Sequence, residues 1–225
     1  MVTTGTQGRR VLVVDDHGLL AQSLGFALRD RGLEVEVCGE LTADAILAAA
    51  TDPPVDVALL DLDVGGDLGT SVPLIPELTD RGARVLMLTG VTDRLRLAEC
   101  VEAGAIGVMS KAQPFDQLVE AVERAVERGE VFAPGEREQY LADLRRLRSE
   151  QQARMAPFEQ LTPRERHVLQ SLMDGASAEQ IATSAVVSLA TVRSQIRSVL
   201  QKLGLNSQLS AVAMARKVGW SNDTD

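Results

Sequence analysis

The stretch Val11-Leu12-Val13-Val14-Asp15-Asp16 decides the fold class, because a short β-branched run ends directly on two carboxylates. A continuous apolar run of this length is typical of a strand that is buried on both faces of a parallel sheet. Four similar runs follow, each bounded by turn residues. The predicted strands are Val11–Val14, Glu34–Cys38, Val57–Leu60, Val85–Leu88 and Ile106–Met109.

Helix-like stretches alternate with these strands. They lie near residues 17–30, 42–50, 70–80, 93–103 and 114–128. Five strands that alternate with five helices predict an α/β fold, a five-stranded parallel sheet covered by helices on both faces. One strand order compatible with this count is the flavodoxin-like order 2-1-3-4-5.

The remainder of the chain is predicted to be all helical. A charged segment near residues 135–154 favours a helix, and Pro134-Gly135 and Pro157 are expected to mark its ends. This segment is interpreted as a linker helix, with a short dimerising coil as the alternative. The later helices are predicted at about 163–174, 178–184, 189–203 and 208–218, with a tight turn at Val186-Val187.

The predicted domain organisation follows from these patterns. A flexible start covers residues 1–8, the α/β domain 9–130, the helical linker 131–156, the helical domain 157–220 and a flexible tail 221–225. The start has no hydrophobic signal core and no apolar run reaches the roughly 20 residues that span a bilayer, so a cytoplasmic protein without a membrane partner is expected. Two isolated cysteines are expected to be reduced thiols.

The net charge of −9 is distributed unevenly along the chain. Residues 1–131 carry a net charge of −11, whereas residues 132–156 and 157–225 each carry +1. The acidic first part would be repelled by nucleic-acid phosphates, so any nucleic-acid contact is expected in the remainder.

Three carboxylates are predicted to converge at one edge of the sheet. Asp15 and Asp16 end the first strand and Asp61 ends the third, which the order 2-1-3 makes neighbours. Carboxylates in one cleft repel one another, and a hard cation such as Mg²⁺ relieves that repulsion. Thr89 and Lys111 follow the fourth and fifth strands, and supply a hydroxyl and a cation. A single Asp after a strand is usually a turn or cap residue, but the five together predict phosphoryl transfer to Asp61.

The predicted helix at 189–203 has the pattern of a DNA-reading helix. Its apolar residues form one buried stripe, and Arg193, Ser194, Arg197 and Gln201 lie on the opposite face. Two arginines among small polar residues suit a major groove, although a solvated helix face is the plain alternative. The preceding helix, the tight turn and Ser188 as N-cap favour a helix-turn-helix.

These motifs are similar to two known families. Residues 9–130 resemble a receiver domain, and residues 159–220, from Leu161-Thr-Pro-Arg-Glu-Arg to Lys202-Leu-Gly-Leu, resemble a LuxR-type helix-turn-helix domain. Together they resemble a NarL/FixJ-type two-component response regulator. The resemblance implies a transcription factor rather than an enzyme, apart from the receiver catalysing its own phosphoryl transfer and dephosphorylation.

The receiver resemblance implies that Asp61 accepts phosphate from a sensor histidine kinase. It implies that Mg²⁺ binds Asp16, Asp61 and the backbone carbonyl of Asp63, with Asp15 acting through water, and that Lys111 and Thr89 contact the phosphoryl group. Three positions depart from the family pattern. Gly18 and the loop after Asp61 lack common prolines, and Val108 replaces the usual aromatic switch residue.

The LuxR-type resemblance implies binding to double-stranded promoter DNA as a homodimer joined through the last helix, with RNA polymerase as a further candidate partner. It implies base or backbone contacts from Arg193, Ser194 and Arg197, and phosphate contacts from Thr191 and Lys202. Ala178 replaces a usual Asn and Gln195 a common His, which bears on phosphate contacts and sequence preference.

Three alternatives stay open at this point. The first is a regulator with the same DNA-binding output that does not depend on phosphorylation, which Val108 and the loop without proline motivate. The second is an aspartate-dependent phosphatase that uses Asp61 and Asp63, although that class usually places this pair after its first strand. The third is a protein-interaction module in which Arg193 and Arg197 are dispensable for DNA retention.

Overall fold

The computed structural model describes residues 8–65, 68–129 and 131–222. The flexible ends predicted at 1–8 and 221–225 lie largely outside these residues. The chain divides into two compact units, residues 1–145 and 146–225. Within the described residues, no helix has the length and apolar character required to cross a membrane.

The first unit is built on a five-stranded parallel sheet with the order β2-β1-β3-β6-β7. This confirms the predicted order 2-1-3-4-5. The residues of β1 and β3 are almost all buried, as the continuous apolar runs predict. The strands are β1 (Arg10–Val14), β2 (Glu34–Val37), β3 (Val57–Leu60), β4 (Asp63–Gly65), β5 (Gly69–Thr70), β6 (Arg84–Thr89) and β7 (Gly107–Ser110).

Helices cover both faces of this sheet. Leucines and alanines of α1 and α5 pack on one face, and residues of α2, α3 and α4 pack on the other, so that two apolar cores enclose the sheet. The helices of this unit are α1 (Gly18–Asp30), α2 (Ala43–Ala49), α3 (Leu74–Asp80), α4 (Arg94–Ala103) and α5 (Phe115–Arg128).

The segment after β3 differs from the prediction. A helix was expected from about residue 70, but α3 begins at Leu74 and the preceding residues form the two-stranded hairpin β4–β5. Glycines allow this turn, since Gly65 and Gly69 both have positive φ angles. The backbone N–H of Ser71 donates to the carbonyl of Leu62 and fixes the end of the hairpin.

Helix α6 (Glu136–Glu159) contains the predicted linker helix but extends beyond it. The expectation that Pro157 ends this helix is wrong, because Pro157 lies inside its last turn. Phe158 gives the physical reason. Its side chain is 1% exposed and its ring lies 5.6 Å from that of Trp220, so packing within the second unit holds the last turn helical.

The second unit contains the helices predicted after Leu161. They are α7 (Pro163–Met173), α8 (Ala178–Ser184), α9 (Leu189–Lys202) and α10 (Gln208–Val218). Thr162 and Glu165 form a capping box at the start of α7. The tight turn between α8 and α9 is confirmed by Val186, which has a φ of 53°. Two apolar clusters hold the four helices together.

Candidate functional site

The carboxyl end of the parallel sheet brings four predicted residues together. The Nζ atom of Lys111 lies 2.8 Å from Asp15 Oδ1 and 2.6 Å from Asp61 Oδ2. The side chains of Asp15 and Asp61 are only 2% and 4% exposed. Asp16 belongs to the same group, in which one ligand atom from each of Asp15, Asp16, His17 and Asp61 lies within 4.8 Å of the others.

Burial and charge set the protonation of this cluster. Burial raises the pKa of Asp61, although the hydrogen bond and charge of Lys111 act against the shift. Burial opposes the charge of Lys111, but the hydrogen bonds to Asp15 and Asp61 raise its pKa overall. The Oδ2 atom of Asp15 is buried and has no hydrogen-bond partner in the described structure. The site therefore contains one partly buried ammonium and an excess of carboxylate oxygens.

The remaining predicted residues take individual positions around the cluster. Thr89 ends β6 and is 1% exposed, and its Oγ1 accepts a hydrogen bond from the backbone N–H of Val91 at 3.0 Å. Asp63 lies in β4, two residues after Asp61, and its carboxylate pairs with Arg96 of α4. His17 lies at the rim, with Nδ1 2.7 Å from Asp16 Oδ1 and 66% of its side chain exposed.

Sequence reasoning missed two residues at this site. The buried Ser71 Oγ donates to the backbone carbonyl of Asp61 at 2.5 Å and so fixes the backbone of the predicted acceptor. Arg96 forms a two-pronged pair with the carboxylate of Asp63, which lowers the pKa of that carboxyl mainly through the side-chain hydrogen bond. Neither residue has a signal in the sequence, because each reaches the site through the folding of the β4–β5 hairpin or α4.

Val108 lies on β7 where the family pattern has an aromatic residue, and the space beside it is open. A cavity of about 370 Å³ is lined by Val108, Met109, Phe132 and polar residues of α5. Phe132 and Tyr140 place their rings 6.0 Å apart, and the Arg94 guanidinium lies 5.6 Å from the centre of the Tyr140 ring. The aromatic side chain that lines this cavity, that of Phe132, therefore comes from the segment after α5 and not from β7.

In the second unit, α9 presents the predicted polar face. Thr191, Arg193, Ser194 and Arg197 are all exposed, and Val192, Ile196 and Val199 are buried. The Ser188 hydroxyl accepts from the backbone N–H of Thr191 at 3.0 Å, which confirms Ser188 as the N-cap. Arg193 lies 3.6 Å from Glu179 of α8, and both side chains are about two-thirds exposed.

Lys202, the fifth residue predicted to contact DNA, has partners inside the unit. Its Nζ lies 2.6 Å from Glu165 Oε2 and 3.0 Å from the backbone carbonyl of Gln160. Burial opposes the charge of Glu165, but the hydrogen bonds from Lys202 and from Thr162 hold the pKa of that carboxyl below its ordinary value. Lys202 therefore joins the end of α9 to the capping box of α7.

Replacement of Lys202 by Met is expected to lower the stability of the second unit by about 2 kcal/mol at pH 7, since a charge-assisted hydrogen bond is lost at Glu165. A carboxyl with a depressed folded pKa stabilises the fold above its unfolded pKa of about 4.3, and loses that contribution as the pH falls through the folded pKa. Urea unfolding followed by the fluorescence of Trp220, the single tryptophan, measures this unit. The exposed Lys217→Met is the control, and an equal loss in both variants would contradict the structural role of Lys202.

Family models match both units. The model described as "Response regulator receiver domain" matches residues 11–123, and the model "Bacterial regulatory proteins, luxR family" matches residues 159–215. The first covers the sheet and its acidic cluster, and the second covers α7 to α9 and most of α10.

Relatives align with nearly the whole chain. The nitrate/nitrite response regulator protein NarP of Escherichia coli is 33% identical over 208 residues, which cover 91% of this chain and 93% of that protein. The probable transcriptional regulatory protein NarL of Mycobacterium tuberculosis is 30% identical over 210 residues, covering 92% and 94%. A solved RcsB response regulator of Salmonella typhimurium has the same fold at 20% identity, with a TM-score of 0.51 over 93% of this chain and all of that one. The chain therefore belongs to the NarL/FixJ-type response regulators, transcription factors of two-component systems that join a receiver domain to a LuxR-type DNA-binding domain.

Proposed function

We propose that this response regulator is switched by phosphorylation of Asp61 and binds promoter DNA as a homodimer. The observation that carries the proposal is the bridge from Lys111 to the buried carboxylates of Asp15 and Asp61, at 2.8 and 2.6 Å. We assign the receiver to residues 9–130, the linker to 131–156 and the DNA-binding domain to 157–220. A cytoplasmic location follows from the DNA partner.

The proposed reaction is phosphoryl transfer from a phosphohistidine of a sensor kinase. An Asp61 oxygen attacks the phosphorus atom, the P–N bond breaks, and the imidazole leaves with its electron pair and takes up a proton. The Lys111 ammonium stands 2.6 Å from the attacked carboxylate, where it offsets charge on the transferred group. The Thr89 hydroxyl exchanges its bond with the Val91 N–H for one with the phosphoryl group. Hydrolysis of the acyl phosphate by water returns Asp61 to its starting state.

The donor set fits a divalent cation. The buried Asp15 Oδ2 has no partner among the described residues. Lys111 pairs with Asp15 and Asp61, and the carboxylate of Asp16 lies in the same cluster. Oxygen atoms of this kind are the ligands that Mg²⁺ prefers, and Asp15, Asp16, Asp61 and the carbonyl of Asp63 would hold it. Bound there, Mg²⁺ would supply charge neutralisation for the phosphoryl oxygens.

Mg²⁺ is expected to raise the stability of the first unit. At about 100 times its dissociation constant, a ligand that binds only the folded state adds about 2.7 kcal/mol. Asp16→Asn should lose most of this gain, because a ligand oxygen becomes an amide, whereas the exposed Asp30→Asn should retain it. Urea unfolding by circular dichroism, with Na⁺ at matched ionic strength as the reference, measures the gain. Equal Mg²⁺ stabilisation of the wild type and Asp16→Asn would contradict this ligand set.

The output of the proposed function is tested with the full chain and a labelled promoter duplex from its own operon. Acetyl phosphate with Mg²⁺ should raise both the dimer fraction, measured by light scattering, and the affinity for the duplex. Arg197→Ala should weaken duplex binding by about 1–3 kcal/mol if Arg197 reads a base. DNA affinity that is the same with and without the phosphodonor would contradict control by phosphate.

A second candidate is the regulator whose DNA binding does not depend on phosphate. Val108 and the cavity of about 370 Å³ beside it favour this candidate, since no aromatic residue of β7 can follow Thr89 into that space. Regulated transcription that is unchanged in Asp61→Asn would support it, whereas loss of regulation in that variant would support the first candidate.

A further inference from the structure

The cations of the DNA-binding domain are few, and most are engaged within it. Residues 157–225 contain seven lysines and arginines. Arg166 and Arg216 donate to backbone carbonyls, Lys202 binds Glu165 and Arg193 lies near Glu179. Over the described residues 157–222, three cationic side chains make no hydrogen bond or ion pair, namely those of Arg164, Arg197 and Lys217.

Of these three, Arg164 shares a surface with α9. It lines a cavity of about 360 Å³ together with His167 of α7 and with Thr191 and Gln195 of α9. Arg164 and His167 are both exposed, so the cavity wall on the α7 side ends in polar groups that face solvent. The cavity thus places an unpaired guanidinium beside Thr191, a residue proposed to contact a DNA phosphate.

The geometry of α9 assigns this cavity to one flank of the reading helix. At about 100° per residue, Thr191 and Gln195 lie about 160° around the helix from Arg193, and Ser194 lies between them on the exposed face. A helix in the major groove has a sugar–phosphate strand along each flank. With α9 in a major groove, Arg193 would face one of these strands and Arg164 would lie on the side of the other.

Arg164 does not help the helix that carries it. It is the second residue of α7 (Pro163–Met173), and a cation in the first turn of a helix opposes the helix dipole. A residue that weakens its local element without an internal partner is expected to have a role outside the fold. Here the cavity beside Arg164 is also lined by Thr191 and Gln195 of the reading helix.

We propose that Arg164 contacts a DNA phosphate on the Thr191 flank of α9, and so supplies an electrostatic contact from outside the reading helix. This inference rests on the proposed DNA-binding function. The contact does not depend on sequence, because phosphates are the same at every base pair. Arg164 sets the salt dependence of binding, whereas the face of α9 sets base preference.

The test measures how the affinity of the full chain depends on salt. The probe is a fluorescent duplex of mixed sequence, titrated by anisotropy between about 50 and 200 mM salt, with and without acetyl phosphate and Mg²⁺. The logarithm of the association constant falls linearly with the logarithm of the salt concentration. Arg164→Gln should make this slope shallower by about 0.9, because the variant neutralises one phosphate fewer and so releases fewer counterions. Arg164→Lys should keep the slope. The Trp220 unfolding midpoint of Arg164→Gln should be no lower than that of the wild type.

Controls separate this inference from the proposed function. Arg154→Gln removes the same charge from an exposed position in the same unit, away from the cavity, and should leave the slope unchanged. An equal reduction of the salt-dependence slope in Arg164→Gln and Arg154→Gln would overturn the inference. A wild-type slope in Arg164→Gln together with a reduced slope in Arg197→Gln would also overturn it. Absence of wild-type binding to the duplex in either state would overturn the proposed function and this inference together.

Discussion

Asp61→Asn is expected to take up no phosphoryl group from acetyl phosphate and Mg²⁺, whereas the wild type gains a single adduct in its intact mass. The amide nitrogen and oxygen of Asn cannot replace the carboxylate nucleophile 2.6 Å from Lys111. Since the reaction needs this nucleophile, the effect is complete loss and not a reduced rate. Intact-protein mass spectrometry, with peptide mapping of the adduct, measures it.

A stability measurement shows whether Asp61→Asn loses the adduct because it lacks the nucleophile or because it fails to fold. Burial raises the pKa of Asp61, which means that the folded state opposes ionisation of this carboxyl and loses stability as the pH rises through its titration. A neutral isostere should therefore leave the urea midpoint at pH 7.5 no lower than that of the wild type. The exposed Asp30→Asn should still form the adduct. An adduct on Asp61→Asn at another carboxylate would show that the acceptor is misassigned.

Lys111→Met is expected to lower the stability of the first unit by about 3 kcal/mol at pH 7.5 in the presence of EDTA. Its Nζ is the cation between two carboxylates whose side chains are 2% and 4% exposed. Removal of one partner from a buried ion pair leaves the other charge buried and unpaired, which is more costly than the loss of the attraction alone. Circular dichroism follows both units, and Trp220 fluorescence reports on the second alone, so the two signals together isolate the loss in the first unit.

The pH dependence of this loss has a defined sign. Asp61 has a raised pKa even beside Lys111, and loss of the ammonium raises it further. The loss of unfolding free energy in Lys111→Met should be largest above the pKa that Asp61 has in this variant. The loss should shrink as the pH falls and the Asp61 carboxyl becomes neutral. In an Asp61→Asn background the same substitution should have a smaller effect, because one of the two carboxylates is gone. A loss that is equal at pH 5 and 7.5 and in both backgrounds would contradict this explanation.

The main-sheet topology and much of the acidic cluster were predictable from local signals. The strand run that ends on Asp15 and Asp16, and the run that ends on Asp61, place three carboxylates at one edge once the sheet is parallel, since parallel strands share their carboxyl end. The structure has these residues and Lys111 in one cluster. The helix starts at Thr162 and Ser188 were predictable for a similar reason, because capping acts over three residues.

Other contacts required the folded chain. Ser71 lies ten residues after Asp61 and reaches its carbonyl only because the β4–β5 hairpin turns back. Arg96 meets Asp63 across 33 positions of sequence. Lys202 meets Glu165 across 37, so a residue that resemblance assigns to DNA also holds two helices together. None of these pairs has a periodicity or a spacing that a sequence pattern records.

The sequence by itself determined the alternation of strands and helices, the carboxylates at the strand ends and the polar face of α9, because these depend on period, on local capping and on chain order. The tertiary structure decided which charges are paired and which remain available. It engaged Lys202 with Glu165, placed Arg96 on Asp63, and left Arg164 on the rim of a cavity beside Thr191. The physical reason is that the strength of a charge depends on its burial and on its neighbours, and both are set by residues far apart in the chain.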